Sequence, residues 1–258
     1  MNAIQTATFD STKAENPRQV IEINNLRKGF GTEDVLLNVS LKLFDGENLV
    51  VLGKSGSGKS VLIKCIVRLL EADGGTINVL GENVSALDHY NLGEMRKKIG
   101  FLFQSGALYD SMTVKQNLEF PLQRIKRNLS QKELNEKVQE VLENVGLSDA
   151  LNKMPSQLSG GMRKRISLAR TLVVDPLIML YDEPTTGLDP VTSDEISLLI
   201  NEVQKKYKTS SIIITHDIEC ARTTANRIIM LLDGEVYKEG ELEKFEKSTD
   251  PSIKSFFK

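Results

Sequence analysis

The residues with the clearest chemistry form the phosphate loop "GKSGSGKS", from Gly53 to Ser60, which matches the pattern G-x-x-x-x-G-K-[ST] in full. Its glycines let backbone N–H groups turn toward a polyphosphate, and a helix that begins there adds partial positive charge. Lys59 can reach the β- and γ-phosphates, and Ser60 can ligate Mg²⁺. The expected nucleotide contacts are Gly53, Ser55, Gly56, Gly58, Lys59, Ser60 and Val61.

Two adjacent carboxylates supply complementary chemistry at the end of the apolar run "LIMLYDEP". Asp182 stands where a buried strand should end, so it can bind the nucleotide's metal ion. Glu183 follows directly and can orient, or accept a proton from, the water that attacks a γ-phosphate. Taken alone, either residue could be a helix cap or a solvated strand end. The phosphate loop upstream favours the catalytic interpretation.

Three further side chains follow predicted strands. Gln104 ends "IGFLFQ" and can ligate Mg²⁺ or position water, while His216 ends "IIITH" and can contact the γ-phosphate. The ends of neighbouring parallel strands gather at one edge of a sheet, where ligands bind. Phe30, in "RKGFG", can stack on a base. A role for Phe30 in the core or in a lid is the alternative.

The pattern of apolar residues predicts the elements that position these groups. Alternating apolar residues from Val20 predict antiparallel, half-exposed strands. "LIMLYD" and "SSIIITH" are continuous apolar runs, typical of strands buried in a parallel sheet. "RIIMLLDGEVYKEG" predicts an edge strand pair with an Asp-Gly turn. The fold class is therefore α/β, with an antiparallel β subdomain.

A helical segment interrupts this core. "LSQKELNEKVQEVLENVGL" places Ser130 and Glu133 at capping-box spacing, and Gly146 is a plausible helix stop. We therefore predict a core of residues 19–105 and 169–243 with an inserted helical subdomain at 106–168. Residues 1–18 are expected to be a flexible tail, and residues 244–258 a C-terminal tail.

Composition excludes some classes of function. The 258 residues carry 33 Lys and Arg against 35 Asp and Glu, a net charge of -2 that gives no reason to expect nucleic acid as a partner. No apolar run reaches the roughly 18–20 residues that span a bilayer. The N-terminal stretch lacks the basic and apolar regions of a signal peptide, so none is expected.

The motifs together resemble those of the nucleotide-binding subunits of ABC transporters. Their order is Phe30, "GKSGSGKS", Gln104, "LSGGM", "LIMLYDEP", "GLDP" and His216. The signature "LSGGM", residues 158–162, separates this family from other P-loop proteins. The resemblance covers about residues 20–240. It implies a P-loop NTPase (RecA-like) core, with ATP and Mg²⁺ as cofactors and ATP hydrolysis as the activity.

In that family two such domains pair head to tail around two ATP molecules. The resemblance therefore implies that Ser159, Gly160 and Gly161 contact the γ-phosphate bound by a second copy, and that Asp189 lies at the dimer seam. It also implies a membrane permease that docks near Gln104 and the helical insert, at the cytoplasmic face of the inner membrane. The basic run 163–165 is expected to be a solvated helix face, with anion attraction as the alternative.

One departure narrows the resemblance to a subfamily. Met162 stands where most of the family has Gln. "LSGGM" is typical of ATPases of Mla-type (Mce-associated) lipid and organic-solvent-tolerance transporters. "FQSGALYDSMTVKQNLEFPL", "YDEPTTGLDPVTSD" and "STDPSIKSFF" are also similar to that subfamily. It implies transport of phospholipid between membranes with an Mce-type lipid-shuttling partner. Other cargoes (amino acid, metal or lipoprotein) and a soluble switch protein on ribosomes or DNA are the alternatives.

Overall fold

The computed structural model describes residues 17–126 and 128–257, which form one ten-stranded sheet with helices on both faces. The tail predicted at residues 1–18 lies outside the described residues except for Pro17 and Arg18. The strands are β1 Gln19–Phe30, β2 Glu33–Phe44, β3 Asn48–Leu52, β4 Gly74–Val79, β5 Glu82–Asn83, β6 Ile99–Leu102, β7 Ile178–Asp182, β8 Ser210–Thr215, β9 Arg227–Leu232 and β10 Glu235–Gly240. The helices are α1 Lys59–Ile66, α2 His89–Lys97, α3 Val114–Ile125, α4 Gln131–Asn144, α5 Gly160–Leu172, α6 Pro190–Tyr207, α7 Ile218–Thr224, α8 Leu242–Glu246 and α9 Pro251–Lys254.

The strand order is β5-β4-β1-β2-β10-β9-β3-β8-β7-β6. The pairs within β9-β3-β8-β7-β6 are parallel, and every residue of β3, β7 and β8 is buried. Such burial on both faces explains why these strands read as continuous apolar runs. β1 pairs antiparallel with β2 and β4. The predicted α/β fold with an antiparallel β part is confirmed.

The hairpin of β9 and β10 has the predicted Asp-Gly turn but not the predicted edge position. Asp233 and Gly234 have φ of 48° and 76°, as a two-residue hairpin turn requires. β9, however, pairs with β3, and β10 reaches β2. The edge prediction is wrong because the inner residues of β9 are buried and take a place inside the sheet.

The sheet separates two hydrophobic cores. Val50 and Leu52 of β3 belong to the core that packs against α3–α9, and Leu49 and Val51 to the core around α1, α2 and the antiparallel strands. This alternation follows from the period of two in a strand. β3 is therefore fixed from both faces, and it leads directly into the phosphate loop.

The helical segment is stabilised at its ends as predicted. Ser130 and Glu133 form both hydrogen bonds of a capping box on α4, and Gly146 beyond the helix has a φ of 68°. Helix α5 runs without a break across residue 168, where we expected the helical subdomain to end. The signature at the start of α5 is thus rigidly joined to residues assigned to the core.

The segment 244–258 was expected to be a tail, but its described part, residues 244–257, is folded. Phe245 of α8 and Ile253 of α9 are both buried in the larger core. Tyr237 Oη of β10 donates a hydrogen bond to Asp250 Oδ2 at 2.6 Å. The sequence does not predict this burial, because Phe245 and Ile253 are isolated apolar residues in a polar segment. They are buried only through contacts with residues that are distant in sequence. Within the described residues, no helix has the length and apolar character needed to cross a bilayer.

Candidate nucleotide-binding and catalytic site

The phosphate loop joins β3 to α1 at the edge where the parallel strands end. With side chains from other strands it lines an open cavity of about 240 Å³. The lining residues are Val35, Ser55, Gly56, Gly58, Lys59, Ser60, Val61, Gln104, Glu183 and His216. Six of the seven residues predicted in or beside the loop are thus at the cavity, and the seventh, Gly53, directly follows β3 and accepts a hydrogen bond from Lys59.

Lys59 is nearly buried beneath the loop. Its Nζ donates hydrogen bonds to the backbone carbonyls of Gly53 at 2.7 Å and Lys54 at 3.0 Å. The same Nζ lies 3.4 Å from Glu183 Oε1. The ammonium therefore stands between the loop and the carboxylate, where it can bind the terminal phosphates of a nucleotide.

Ser60 and Asp182 form a direct contact, with Ser60 Oγ donating to Asp182 Oδ1 at 2.9 Å. Burial raises the pKa of Asp182, and the Ser60 hydrogen bond opposes that rise. Hydroxyl, carboxylate and the Gln104 amide are the oxygen ligands that Mg²⁺ prefers, so the donor set fits this ion. In the described part of the chain no cluster of three His, Cys, Asp or Glu side chains would bind a metal by itself. Ser60, Asp182 and Gln104 would hold the ion together with oxygens of the nucleotide's phosphates.

Glu183 is restrained from several sides. Its Oε2 lies 2.8 Å from His216 Nδ1 and accepts hydrogen bonds from the His216 backbone N–H and Thr186 Oγ1, each at 3.3 Å. Its backbone has a φ of 49°, which is unusual for a non-glycine residue, and its N–H donates to the Ile214 carbonyl. Backbone strain of this kind persists where neighbouring contacts over-determine it, often at functional sites. The carboxylate is consequently held at a fixed point above the phosphate loop.

Sequence reasoning placed His216 at the correct edge but missed its pairing with Glu183. The register of β7 and β8, in which Asp182 faces Ile214, brings the residues after the two strands together. Knowledge that these strands are neighbours would have revealed the pair. Val35 was also missed as a lining residue, because nothing distinguishes it from other strand residues in the sequence.

Phe30 is at the end of β1, and it does not line the cavity. Phe30 is 48% exposed, which excludes the alternative that it packs in the core. The Lys28 Nζ lies 5.3 Å from the centre of its ring. Stacking of Phe30 on a nucleotide base stays a prediction.

The signature residues form a second, separate group. Ser159 Oγ caps α5 by accepting the Met162 N–H, and Asp189 caps α6 by accepting the Thr192 N–H. A Cβ placed on Gly161 would lie 2.5 Å from Thr192 Cγ2, so the first turns of α5 and α6 touch there. Ser159, Gly160, Gly161 and Asp189 do not line the cavity. The structure therefore groups these residues with one another and not with the phosphate loop of the same chain.

Lys164 corrects the expectation of a solvated basic face. Arg163 is exposed, but Lys164 is only 7% exposed. Its Nζ donates to the carbonyl oxygens of Gln104 at 2.5 Å and Glu183 at 3.4 Å. Burial lowers the pKa of Lys164, and the carboxylates of Asp182 and Glu183 oppose that change. Residues 166–169 of α5 are also buried, so Lys164 belongs to the part of the helix that packs inward, and it meets the catalytic edge there.

Comparison with known proteins gives one family. The ABC transporter family model matches residues 36–186. The probable ribonucleotide transport ATP-binding protein mkl of Mycobacterium tuberculosis is 39% identical over 236 residues, or 92% of this chain and 66% of that protein. The methionine import ATP-binding protein MetN of Brucella abortus is 36% identical over 239 residues, or 93% of this chain and 64% of that protein. The chain thus spans about two-thirds of the length of these relatives.

A solved structure supports the same family assignment. The dimeric post-hydrolysis state of the ATP-binding cassette MJ0796, bound to ADP and Pi, matches with a TM-score of 0.79 and 35% identity, over 86% of this chain and 98% of that one. The family model covers more than half of the chain, the cavity is lined by a lysine, a hydroxyl and the Glu183 carboxylate, and Asp182 contacts the cavity through Ser60. The chain belongs to the ABC transporter family and is one of its ATP-binding ATPase domains.

Proposed function

We propose that two copies of this chain pair head to tail, hydrolyse ATP at two shared sites and thereby drive a membrane permease. The observation that carries this proposal is the separation of the two groups of site residues. Lys59, Ser60 and Glu183 surround the cavity, while Ser159 and Gly161 lie at the N-terminus of α5. A helix N-terminus with a hydroxyl is a good anion site. A second copy would bring this anion site to the γ-phosphate.

The residues of each copy then have distinct tasks. Backbone N–H groups of the phosphate loop and Lys59 hold the β- and γ-phosphates. Ser60 and Asp182, together with the Gln104 amide, would hold Mg²⁺, which would neutralise charge on these phosphates. Glu183 orients the attacking water and accepts its proton, and His216 holds the Glu183 carboxylate in place. The solved relative with ADP and Pi is a dimer, which supports the shared arrangement.

The substitution E183Q tests the catalytic assignment. It keeps the size of the side chain and removes the carboxylate that accepts the proton. We expect the ATPase rate to fall about 100-fold or more, because general-base catalysis contributes about 10²–10⁴-fold. ATP should still bind, so an ATP-bound dimer should accumulate in size-exclusion chromatography with light scattering.

The matched control is K59M, which removes the ammonium that binds the terminal phosphates. K59M should lose both hydrolysis and ATP-dependent dimerisation, whereas E183Q should lose hydrolysis only. An E183Q variant that hydrolyses ATP at the wild-type rate would refute the role given to Glu183.

For the cargo we propose phospholipid, moved with an Mce-type lipid-shuttling partner, at the cytoplasmic face of the inner membrane. The support is the signature "LSGGM" and the three stretches similar to Mla-type ATPases. Met162 is partly buried and packs against the larger core, so an apolar residue fits this place. A second candidate is import of a small solute, which the similarity to MetN favours.

Purification of the chain with its native membrane partner separates the two cargoes. The complex would be reconstituted in phospholipid vesicles, and transfer of a labelled phospholipid to an acceptor would be followed with and without ATP. ATP-dependent lipid transfer that E183Q abolishes is the expected result. ATP-dependent uptake of labelled methionine without lipid transfer would instead establish the solute importer.

A further inference from the structure

Lys164 is a buried cation on α5 that the proposed ATPase chemistry does not use. It is only 7% exposed, and its ammonium donates to the backbone carbonyls of Gln104 and Glu183. In the described ranges of the chain these carbonyls are its hydrogen-bond partners, and it forms no salt bridge there. A lysine buried to this extent is rare unless its charge is compensated.

Packing alone does not explain this residue. Burial of an ammonium is costly, and replacement of buried charges by apolar side chains of similar volume is often neutral or stabilising. The neighbours of Lys164 on the inner face of α5, such as Ile166 and Leu168, are apolar. A methionine would fill the same space without the cost of removing a charge from water. The position of the charge, not the volume of the side chain, therefore requires an explanation.

The two carbonyls belong to the two segments that present site residues. Gln104 begins the loop of residues 104–107, defined here as the Gln104 loop, and Glu183 carries the catalytic carboxylate. The Glu183 backbone N–H donates to the Ile214 carbonyl, and the Glu183 carbonyl accepts from both the Thr186 N–H and Lys164 Nζ. The left-handed backbone of Glu183 is thus fixed on both sides.

Helix α5 offers the Gln104 loop a continuous surface. One turn beyond Lys164, the backbone at Gly106 approaches Ser167 so closely that a Cβ there would lie 2.5 Å from Ser167 Oγ. A further turn along, the Arg170 guanidinium donates to the Ala107 carbonyl at 3.1 Å. Lys164 and Arg170 both contact the Gln104 loop, but among the described contacts only Lys164 also reaches Glu183.

We propose that Lys164 is a positioning residue: its ammonium ties the Gln104 loop and the Glu183 backbone to α5, and so aligns the catalytic carboxylate with the cavity. Because α5 begins with the signature residues, the same helix that serves a second copy's ATP also sets the geometry of this chain's own site. The inference rests on the proposed catalytic role of Glu183.

The test compares K164M with R170M in the full chain. K164M removes the donors and keeps the apolar stem, and R170M removes the other cation that contacts the Gln104 loop. For K164M we expect kcat to fall about tenfold or more while the KM for ATP changes less than about threefold, as for a group that acts mainly in the transition state. K164R keeps a cationic donor at this position and should retain most of the wild-type kcat. The kcat of R170M should stay within about twofold of wild type.

A second comparison in the E183Q background separates positioning from folding. If Lys164 acts through Glu183, K164M should cause no further loss of hydrolysis in E183Q, because effects within one unit are not additive. The K164M/E183Q variant should also still form the ATP-bound dimer. K164Q takes the place of K164M if circular dichroism and thermal unfolding show that K164M does not fold.

Three results would overturn the inference. These are a K164M variant with wild-type kcat, an equal loss of kcat in K164M and R170M, or loss of the ATP-bound dimer in K164M/E183Q. An E183Q variant with normal hydrolysis would instead refute the proposed function itself, so the two failures are distinguishable.

Discussion

Gly161 lies in a tight contact between two helices and is also one of the residues proposed to contact ATP. It lies where the first turn of α5 meets the first turn of α6, and Thr192 Cγ2 occupies the space next to its Cα. Packing alone therefore requires a glycine here, because interiors tolerate little extra volume. The proposed approach of the second copy's γ-phosphate would require it for a different reason. The structure provides a way to separate these requirements.

We expect G161A to lower the free energy of unfolding by about 1–3 kcal/mol, the usual cost of forcing a methyl group into a packed contact. The double substitution G161A/T192S should restore this stability, because serine lacks Cγ2 but keeps the hydroxyl that donates to Asp189 Oδ2. Urea unfolding measures both changes.

The proposed contact of Gly161 with the second copy's γ-phosphate predicts that the ATPase rate of G161A/T192S stays low, because the added methyl group lies in the first turn of α5, where that phosphate would bind. The single variant T192S serves as the control and should hydrolyse ATP normally. Full recovery of hydrolysis in the double variant would show that Gly161 is needed for packing only.

At the level of elements, Asp175 joins the end of α5 to the helical segment. Its carboxylate accepts hydrogen bonds from Lys126 at 2.5 Å and Lys137 at 2.6 Å. Burial by itself would raise the pKa of Asp175, but the two lysines outweigh it and lower that pKa below its ordinary value. The backbone of Asp175 has a φ of 57°, which asparagine also tolerates. This turn therefore links α3, α4 and β7 through charge.

The substitution D175N removes that charge with little change in shape. We expect it to lower the free energy of unfolding at pH 7 by about 1 kcal/mol, because partly exposed ion pairs are weak. The pKa of Asp175 is lower in the folded state, so its contribution is fully present above the unfolded value and is lost as pH falls through the folded one.

Urea titrations of wild type and D175N at a series of pH values would show this. The difference should be constant from pH 7 to about pH 5 and should decrease as pH falls below about 4. A difference that instead grows with acidity would contradict the ion-pair account. E140Q, which removes another partner of Lys137, is the control that leaves Asp175 in place.

At the level of the whole molecule, the two groups of site residues are both present but do not meet within one chain. The phosphate loop lies at the C-terminal edge of the parallel strands, and the signature lies at the start of α5. Two copies arranged head to tail would bring each group to its counterpart. One chain would then be able to complete the site of another that has lost only one group.

Mixing two inactive variants tests this arrangement. E183Q removes the carboxylate proposed as the general base but still allows the ATP-bound dimer to form, and S159D keeps a cap for α5 but sets a negative charge against the γ-phosphate. In an equal mixture we expect roughly a quarter of the wild-type ATPase rate, because half of the dimers are hybrids and each has one intact site of two. Each variant alone should be inactive. A mixture that stays inactive although hybrid dimers form would contradict the shared site.

Local patterns in the sequence were enough to predict several of the candidate site residues. The phosphate loop, Asp182 and Glu183 were predicted because their chemistry depends on spacing along the chain and on one strand that leads into one helix. The capping box of α4 and the Asp-Gly turn were predicted for the same reason, since both are closed by hydrogen bonds between near neighbours.

Tertiary structure decided what depends on which elements pack together. The sequence does not reveal that Val35 lines the cavity, that His216 meets Glu183, or that α8 and α9 pack into the core. Lys164 is the clearest case, because a basic run in a sequence is typical of an exposed surface. Only the packing of α5 against the catalytic edge makes this lysine a buried donor, since burial is a property of non-local contacts and not of the residues beside it.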